Sequence, residues 1–490
     1  MGVTRTEVCV IGSGAGGGVV AGVLAEAGKQ VLLVEEGQSV PKERMTQREE
    51  QMYPLLYRDG GQQYTVDGGV SVLQGRVLGG STVINMADIV RIPEGVLAHW
   101  RTRFGLDRYS DMQWNDAADE AEAAIGANLI PEAELNRNAQ LLLEGGQKSG
   151  HSGGTFVHNR VGCIGSGYCM VGCAYDAKRS VALTWIPRAQ AAGAEVWTQA
   201  RVERLELDGS RVAAVEGHTI AAGSNEIVEA FRIEADHVVL SAGAVHSALI
   251  LLNSGLSGQV GRNVSLQPQA PVSALFDEEL RFYRGIPQAA YLDDEETATA
   301  EGGLAGFRVE SIASTPGMAG STLMVWGPDA AKVMRQFNQT AAVLVLAPDR
   351  PGGRITRLGN GRPKIDYQLQ ALWMEQIRRG MRVGAEAFFA AGAQKVVFPF
   401  AASPMIGPDE LSVLDDLAIE PNRLPLLSAH VQGSCRMGPD PAQSVVDLRG
   451  FVHGIDNLQV LDASVFPTTA SSHTMVPVMQ AALLGARELL

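Results

Sequence analysis

Short apolar runs alternate with glycine-rich turns at the start of the chain. The run Glu7–Ile11 predicts a strand, residues 12–17 a glycine-rich turn, and Val19–Ala27 a helix. A second strand is predicted over Gln30–Glu35. This order of strand, turn, helix and strand is that of one βαβ unit, whose two strands are parallel.

A similar pattern returns near the middle of the chain. The apolar run His237–Ser241 leads through residues 242–244 into the helical pattern Ser247–Asn253. Gly255 is placed to end that helix. The chain therefore contains two separated segments with the character of a nucleotide-binding domain.

The pattern changes over Val272–Val397. Strand-like runs there alternate with turns that contain glycine, proline and acidic residues, which predicts an antiparallel sheet. The elements expected from this region to the C-terminus are an acidic loop at Asp293–Glu296, strands at Ala341–Leu346 and Lys364–Leu369, a helix at Trp373–Ala391, a strand at Leu458–Asp462 and a helix at Pro477–Leu490.

Composition and charge narrow the class of protein. Of the 490 residues, 46% are hydrophobic and 19% are charged, so the chain can bury the cores of two or three globular units. The formal net charge of -14 argues against nucleic acid or an anionic membrane as a partner, because both would repel the protein. The expected ligand is small and uncharged, or a docking protein.

The cysteines and the N-terminal apolar run bear on location. Five cysteines in so long a chain do not make a disulfide scaffold. The apolar stretch Val8–Ala25 has glycines at dinucleotide-loop spacing and is followed at once by Glu26, so we interpret it as part of the fold and not as a signal peptide or membrane span. We expect a cytoplasmic protein without a membrane span.

The first glycine-rich turn has the spacing of a dinucleotide-binding loop. Gly12 permits a tight turn, Gly14 lets backbone approach a pyrophosphate, and Gly17 lets the helix meet the strand. Glu35 ends the next strand at the distance where a carboxylate binds a ribose hydroxyl. This motif alone does not separate FAD from NAD.

Four separated motifs resemble those of the glucose-methanol-choline (GMC) oxidoreductases, in that family's order. They are the loop from Gly12 to Glu35, the segment Gly75–Asn85, the segment Gly243–Gly255, and a C-terminal group at His430–Cys435, Asp462–Pro467 and His473. The resemblance spans essentially the whole chain, although residues 272–397 match only in their general pattern of strand-like runs and turns. It implies FAD and alcohol-oxidising chemistry.

The resemblance also implies a fold class and a domain division. The fold is α/β, with a Rossmann-like FAD-binding domain interleaved with an antiparallel-sheet substrate domain. The FAD-binding domain would take residues 1–95, 180–270 and 425–490. The substrate domain and cap would take residues 96–179 and 271–424, including a cysteine-rich loop at 162–179.

By the same resemblance, one group of residues would bind FAD. Glu35 would hold the adenosine ribose, the backbone of Val202 the adenine, and Asp462 and Ala463 the pyrophosphate and flavin. Some members attach the flavin through a histidine where this chain has Ile84, so we predict non-covalent FAD. The whole set comprises Gly12, Gly14, Ala15, Gly17, Glu35, Gly79, Gly80, Ser81, Asn85, Val202, Asp462, Ala463 and Thr474.

His430 and His473 stand at the two positions where the family places its catalytic side chains. Alcohol oxidation requires a base for the hydroxyl proton, and an imidazole with a pKa near ~6.5 suits that task at neutral pH. His430 is the expected base and His473 its partner. Relatives often have asparagine at the second position, so His473 indicates a two-histidine subtype.

Three cysteines, Cys163, Cys169 and Cys173, fall within a short glycine-rich stretch. They resemble the three ligands of a 3Fe–4S cluster in the sugar-dehydrogenase branch of the family, and zinc would normally need a fourth ligand. A local disulfide with one free thiol, or reduced cysteines packed as small apolar residues, are open alternatives.

The expected activity is oxidation of an alcohol to its carbonyl compound. We expect a small, neutral and apolar alcohol, with electrons passed through a cluster to an acceptor protein or directly to oxygen. Met324, Trp326, Trp373 and Met374 either line an apolar pocket or belong to ordinary core. Three rivals are a flavin-containing lyase of the same family, a non-catalytic FAD electron-transfer subunit, and an NAD dehydrogenase.

Overall fold

The computed structural model of the chain describes residues 3–222, 224–323, 327–398, 405–416 and 418–490. Met324 and Trp326 lie outside the described residues. The helices are α1 Ala15–Glu26, α2 Glu49–Leu56, α3 Glu94–Phe104, α4 Asp111–Ile125, α5 Arg137–Ser149, α6 Trp185–Ala191, α7 Gly243–Asn253, α8 Pro316–Thr322, α9 Gly327–Arg335, α10 Ala371–Ala390, α11 Val413–Asp416 and α12 Met475–Arg487.

The strands vary from two residues to fourteen. They are β1 Val3–Ile11, β2 Val31–Val34, β3 Gln63–Tyr64, β4 Val70–Val72, β5 Asp88–Ile89, β6 Asn128–Leu129, β7 Gly153–Thr155, β8 Val157–His158, β9 Glu195–Trp197, β10 Ala200–Asp208, β11 Arg211–Ile220, β12 Ile227–Leu240, β13 Gln269–Leu275, β14 Ala290–Leu292, β15 Thr297–Thr299, β16 Gly303–Ala305, β17 Arg308–Ser311, β18 Thr340–Leu346, β19 Arg354–Arg357, β20 Pro363–Asp366, β21 Lys395–Val397, β22 Met405–Ile406, β23 Leu426–Ser428 and β24 Leu458–Val460.

A seven-stranded sheet within the described ranges contains the first βαβ unit. Strands β9, β2, β1 and β12 lie side by side and parallel, and β24 pairs in parallel with the end of β12. The run Val8–Ile11 is buried throughout, as expected for a strand covered on both faces. Helices α1, α6 and α12 pack together beside this sheet.

The second large sheet has ten strands in the described part of the chain. Its path is β3-β4-β23-β13-β18-β17-β14-β7, with β21 beside β13 and β22 beside β21. The central pair β13 and β18 is antiparallel, and α10 packs against it together with α5. The aliphatic face between these strands and α10 belongs to the main hydrophobic core.

Most elements read from the sequence are confirmed, with particular exceptions. The strand expected at Lys364–Leu369 ends at Asp366 and, within the described ranges, pairs with β19 in a separate two-stranded sheet. The antiparallel meander of β10, β11 and β12 was not predicted. Trp373 packs in the core, where its Nε1 donates to the carbonyl of Pro268 at 3.2 Å.

The domain division stays a prediction, and strand pairing does not follow it throughout. Strands β3 and β4 fall in the range 1–95 and β23 in the range 425–490, yet all three pair within the ten-stranded sheet.

None of the helices in the described part of the chain is long and apolar enough to cross a bilayer.

Candidate active site

A cavity of about 810 Å³ brings most of the predicted site residues together. It begins at the carboxyl ends of β1, β2 and β12 and extends along one face of β13 and β18. Nucleotide ligands of parallel sheets bind at this end of the strands. The predicted residues that line it are Gly12, Gly14, Ala15, Glu35, Gly80, Ser81, Asn85, Val202, His430, Asp462, Ala463, His473 and Thr474.

Five predicted residues do not line this cavity. Gly17 and Gly79 lie behind its wall, and at each of them another segment of the chain packs directly against the glycine backbone. Cys163, Cys169 and Cys173 lie away from its surface, although Met170 between them reaches it.

The first glycine loop is shaped by close backbone approaches. Gly12 has φ +93°, which favours glycine, and its N–H donates to the carbonyl of Val34 at 2.8 Å. A Cβ at Gly17 would lie 1.8 Å from the carbonyl oxygen of Gly12, so only glycine fits there. Helix α1 starts at the cavity without a side-chain cap, which leaves its first N–H groups and its dipole for an anion.

Glu35 is held in place by the same loop. Its Oε2 accepts from the N–H and Oγ of Ser13 at 3.0 and 2.6 Å, and its Oε1 accepts from the N–H of Gly37 at 2.6 Å. Burial raises the pKa of Glu35, against the lowering effect of these hydrogen bonds. The fixed carboxylate lines the cavity at the end of β2, where it can accept hydrogen bonds from the hydroxyl groups of a ligand.

The second glycine loop meets the first. The N–H of Gly79 donates to Oγ of Ser13 at 2.9 Å, and a Cβ on Gly80 would lie 2.9 Å from Cα of Gly14. Beyond this contact, Oδ1 of Asn85 is buried and has no hydrogen-bond partner among the described residues. Asn85 lines the cavity, so this oxygen can accept a hydrogen bond from a bound ligand.

Asp462 stabilises the turn that carries Ala463. Its carboxylate accepts from the N–H of Gly243 at 2.9 Å, the N–H of Ser464 at 2.8 Å and the hydroxyl of Ser247. Burial raises the pKa of Asp462, and these hydrogen bonds oppose that shift. The carboxylate therefore fixes the start of α7, and the direct contact with pyrophosphate expected for it stays a prediction.

His430 and His473 lie against one another on the wall of the cavity. Their ring centroids are 5.1 Å apart and the rings are nearly perpendicular, at 76°. His430 begins the C-terminal group His430–Cys435, and His473 immediately precedes Thr474, the N-cap residue of helix α12. Residues far apart in the chain thus place two imidazoles against one another, as the resemblance implied.

The imidazole of His430 is anchored through one nitrogen. Its Nδ1 lies 2.9 Å from Oε1 of Gln267 and 3.1 Å from Nε2 of Gln269. The tautomer that donates from Nδ1 to Gln267 leaves Nε2, which has no partner in the described part of the chain, able to accept a proton. Burial, together with His473, lowers the pKa of His430 well below its usual value.

His473 has the opposite electrostatic environment. Its Nε2 lies 3.0 and 3.2 Å from the two carboxylate oxygens of Glu310, a fully buried residue that also accepts a hydrogen bond from Gln288. Burial alone would lower the pKa of His473, but the Glu310 carboxylate outweighs that effect and raises it. The site therefore holds two imidazoles whose pKa values are shifted in opposite directions, the separation that acid–base chemistry uses.

Sequence reasoning missed the residues that support the histidines. Glu310 follows Arg308 and Val309 in β17, a pattern that reads as a half-exposed strand. Gln267 is placed by its N–H, which donates to the buried carboxylate of Asp349 at 3.0 Å. A local sequence pattern gives no signal for either role, because both depend on contacts with residues distant in the chain.

The three cysteines do not form the expected ligand group. All are free and half-buried, and burial raises the pKa of the Cys169 thiol to about 12, against the opposing charge of Lys178. Nζ of Lys178 donates to the carbonyl oxygens of Asn85 at 2.6 Å and Cys169 at 2.8 Å. Among the described residues, no group of three or more His, Cys, Asp or Glu side chains is arranged to hold a metal ion. The arrangement of these cysteines therefore gives no support to a cluster.

The glycine loops, the buried Glu35 carboxylate and the paired histidines at one cavity define the class of a dinucleotide-dependent oxidoreductase. Two models described as GMC oxidoreductase match residues 53–269 and 349–482. The chain belongs to the GMC oxidoreductase family.

Related sequences agree with this assignment. An uncharacterized GMC-type oxidoreductase of Mycobacterium tuberculosis is 30% identical over 99% of this chain and 76% of its own length. A long-chain-alcohol oxidase of Arabidopsis thaliana is 26% identical over 98% of this chain and 67% of its own length.

Solved structures share the fold. Pyridoxine 4-oxidase from Mesorbium loti superposes with a TM-score of 0.75 at 19% identity, covering 99% of both chains. Formate oxidase from Aspergillus oryzae RIB40 superposes with a TM-score of 0.72 at 16% identity, covering 99% of this chain and 98% of that one. The α/β fold expected from the sequence is confirmed.

Members of this family bind FAD, and the residues present fit that cofactor. The uncapped start of α1 suits a pyrophosphate, and the free Oδ1 of Asn85 suits a ring N–H. A Cβ added at Gly14 would meet no protein atom within 4 Å. The cavity is therefore open beside this glycine, where a cofactor can approach the backbone.

Proposed function

We propose that the protein oxidises an alcohol to its carbonyl compound, with His430 as the base and His473 as its charged partner. The observation that carries the proposal is the pair of buried imidazoles with pKa values shifted in opposite directions at a cofactor-sized cavity. FAD, when bound, supplies the acceptor for the hydride that leaves the alcohol carbon.

The protein's own residues account for the proton chemistry. Nε2 of His430 accepts the hydroxyl proton, because low pKa keeps this imidazole neutral at neutral pH. The protonated His473 donates a hydrogen bond that orients the alcohol oxygen, and Glu310 holds that ring in place. Both histidines support the two-histidine subtype, which stays part of this proposal.

The cofactor is proposed to be non-covalent. Ile84 lines the cavity at the position where some relatives have the linking histidine, and its side chain offers no nucleophile. The FAD contacts assigned to Glu35, Val202 and Ala463 are supported by their place on the cavity wall.

The substrate is proposed to be a neutral, apolar alcohol and the electron acceptor oxygen. The name of the Arabidopsis thaliana relative, a long-chain-alcohol oxidase, supports both points. An iron–sulfur route to an acceptor protein is not part of the proposal, since the cysteines do not form a ligand group. The cytoplasmic location stays a prediction.

The test is the rate of flavin reduction by alcohol under anaerobic conditions, followed by absorbance. His430→Ala should slow this step by roughly 10²- to 10⁴-fold, the usual effect of a positioned base, with normal FAD content. His473→Ala should slow the same step, and His473→Asn less so. A parental rate in His430→Ala at saturating alcohol would sink the assignment. An alcohol that leaves the flavin oxidised but is cleaved would indicate the lyase instead.

A further inference from the structure

The two faces of β13 differ in what they contact. Residues that alternate along one face are completely buried against the core beside α10; these are Ala270, Val272 and Ala274. Residues on the other face line the cavity; these are Gln269, Pro271, Ser273 and Leu275. One entire face of this strand is therefore turned toward the cavity.

The neighbouring strand β18 continues this surface. Opposite the cavity-facing residues Pro271, Ser273 and Leu275 of β13 stand the cavity-facing residues Leu344, Ala342 and Thr340 of β18. Their side chains are small or apolar, and they form a smooth floor two strands wide.

The floor has a defined beginning and end. It begins at Gln269, whose side chain contacts His430 at 3.1 Å. Leu275 is six residues further along, about 20 Å at roughly 3.4 Å per residue of antiparallel strand. Phe282 and Phe337, with ring centroids 5.0 Å apart, line the cavity at that far end, since Phe337 lies in the turn that leads into β18.

Helices α8 and α9 contribute apolar side chains to the same part of the cavity. Those that line it are Met318, Ala319, Val333 and Met334, together with Leu323 directly after α8. Among the described residues that line the cavity along β13, β18, α8 and α9, none carries a charge. We call this part of the cavity the tail channel; it runs from Gln269 to Phe282 and Phe337.

We propose that the tail channel holds an unbranched apolar chain, so that the substrate is a long-chain primary alcohol of about 16 carbons with its hydroxyl at His430. Carbon–carbon bonds of about 1.5 Å give an extended alkyl chain roughly 1.25 Å per carbon, so about 16 carbons span the 20 Å floor. The inference rests on the proposed alcohol oxidation and adds the size and shape of the alcohol. Phe337 and Ser273 become residues that determine specificity.

Chain length should control catalytic efficiency in a graded way. Each methylene that enters the channel removes apolar surface from water, so kcat/KM should rise by roughly fourfold per methylene and level off near hexadecanol. A short, enclosed pocket would give no such series.

The decisive variant is Ser273→Phe, which places a ring across the channel four residues, about 14 Å, from Gln269. Octanol ends before that point and should keep its parental kcat/KM, whereas hexadecanol should lose roughly 100-fold or more. Phe337→Ala, which opens the far end, should shift the optimum to alcohols longer than hexadecanol. Ser257→Phe adds the same bulk at an exposed position outside the cavity and serves as the matched control.

Equilibrium dialysis with radiolabelled hexadecanol gives a second readout, and binding should weaken in Ser273→Phe and not in Ser257→Phe. Equal loss of octanol and hexadecanol oxidation in Ser273→Phe, with no change in Phe337→Ala, would overturn the channel. If the FAD-loaded parental protein oxidised no alcohol of any length, the proposed function itself would fail, and that outcome is distinct from a flat chain-length series.

Discussion

Nε2 of His473 lies 3.0 Å from Oε1 of Glu310, and this ion pair is buried beside the second imidazole of the site. The contact explains why the pKa values of these two buried histidines shift in opposite directions. Burial disfavours the charged form of both rings, and only His473 has a carboxylate partner that compensates. Glu310 is therefore a positioning residue for His473.

Glu310→Gln should move the alkaline limb of the pH profile to lower pH. The pKa of His473 is raised in the native site, so the protonated ring persists to higher pH; loss of the carboxylate lowers that pKa, and the charged form is lost earlier as pH rises. The measurement is the rate of flavin reduction against pH. Glu301→Gln, at an exposed carboxylate, should leave the profile unchanged. An alkaline limb that does not move would contradict the role of Glu310.

The acid limb should report His430. Because its pKa is well below the usual value of about 6.5, this base stays neutral across the neutral range and becomes protonated only in more acidic solution. The rate of flavin reduction should therefore stay constant as pH falls through ~6.5 and decline only below it. A decline centred at or above that value would show that another group, or an unshifted His430, controls the step.

Much of the site could be predicted because it lies in local motifs. Gly12, Gly14 and Glu35 are fixed by the spacing of one βαβ unit, and His430 and His473 each sit beside a recognisable segment. The supporting residues Glu310 and Gln267 could not be predicted, since they reach the histidines from strands and turns distant in the chain.

The fold shows the same division between local and non-local information. Strand β1 and helix α1 follow from an uninterrupted apolar run and a glycine turn. The run at Lys364–Leu369 has strand character, but its pairing with β19 alone depends on where the chain folds back. Which strands pair is determined by the assembled sheet, so a short segment of sequence does not predict the pairing partner of a strand.

Two alanine substitutions in the first glycine loop should have different effects. In Gly17→Ala the new methyl would lie 1.8 Å from the carbonyl oxygen of Gly12, so the FAD-free protein should lose about 1–3 kcal/mol of unfolding free energy. In Gly14→Ala the methyl meets no protein atom within 4 Å, so stability should hold.

Gly14→Ala should instead weaken FAD binding, because its methyl occupies the cavity beside the start of α1. A loss of roughly tenfold in affinity, about 1.4 kcal/mol, is expected. Chemical denaturation of the FAD-free proteins and flavin titration separate the two effects. Equal destabilisation by both substitutions would show that the loop geometry is wrong.

Denaturation should release FAD into solution. Ile84 lines the cavity where some relatives carry the linking histidine, and an aliphatic side chain cannot form the bond. After heat or acid precipitation, the flavin absorbance should remain in the supernatant. Flavin that sediments with the polypeptide would contradict a non-covalent cofactor.

The fate of the electrons can be decided by two analyses on one preparation. Iron–sulfur ligation requires cysteine thiolates, and Cys163, Cys169 and Cys173 are not arranged as a ligand group for a metal. Protein purified without oxygen should therefore contain neither iron nor sulfide, and turnover in air should yield one hydrogen peroxide for each alcohol oxidised. Stoichiometric iron and sulfide with little peroxide would show instead that the three cysteines hold a cluster and that the enzyme is a dehydrogenase with a protein acceptor.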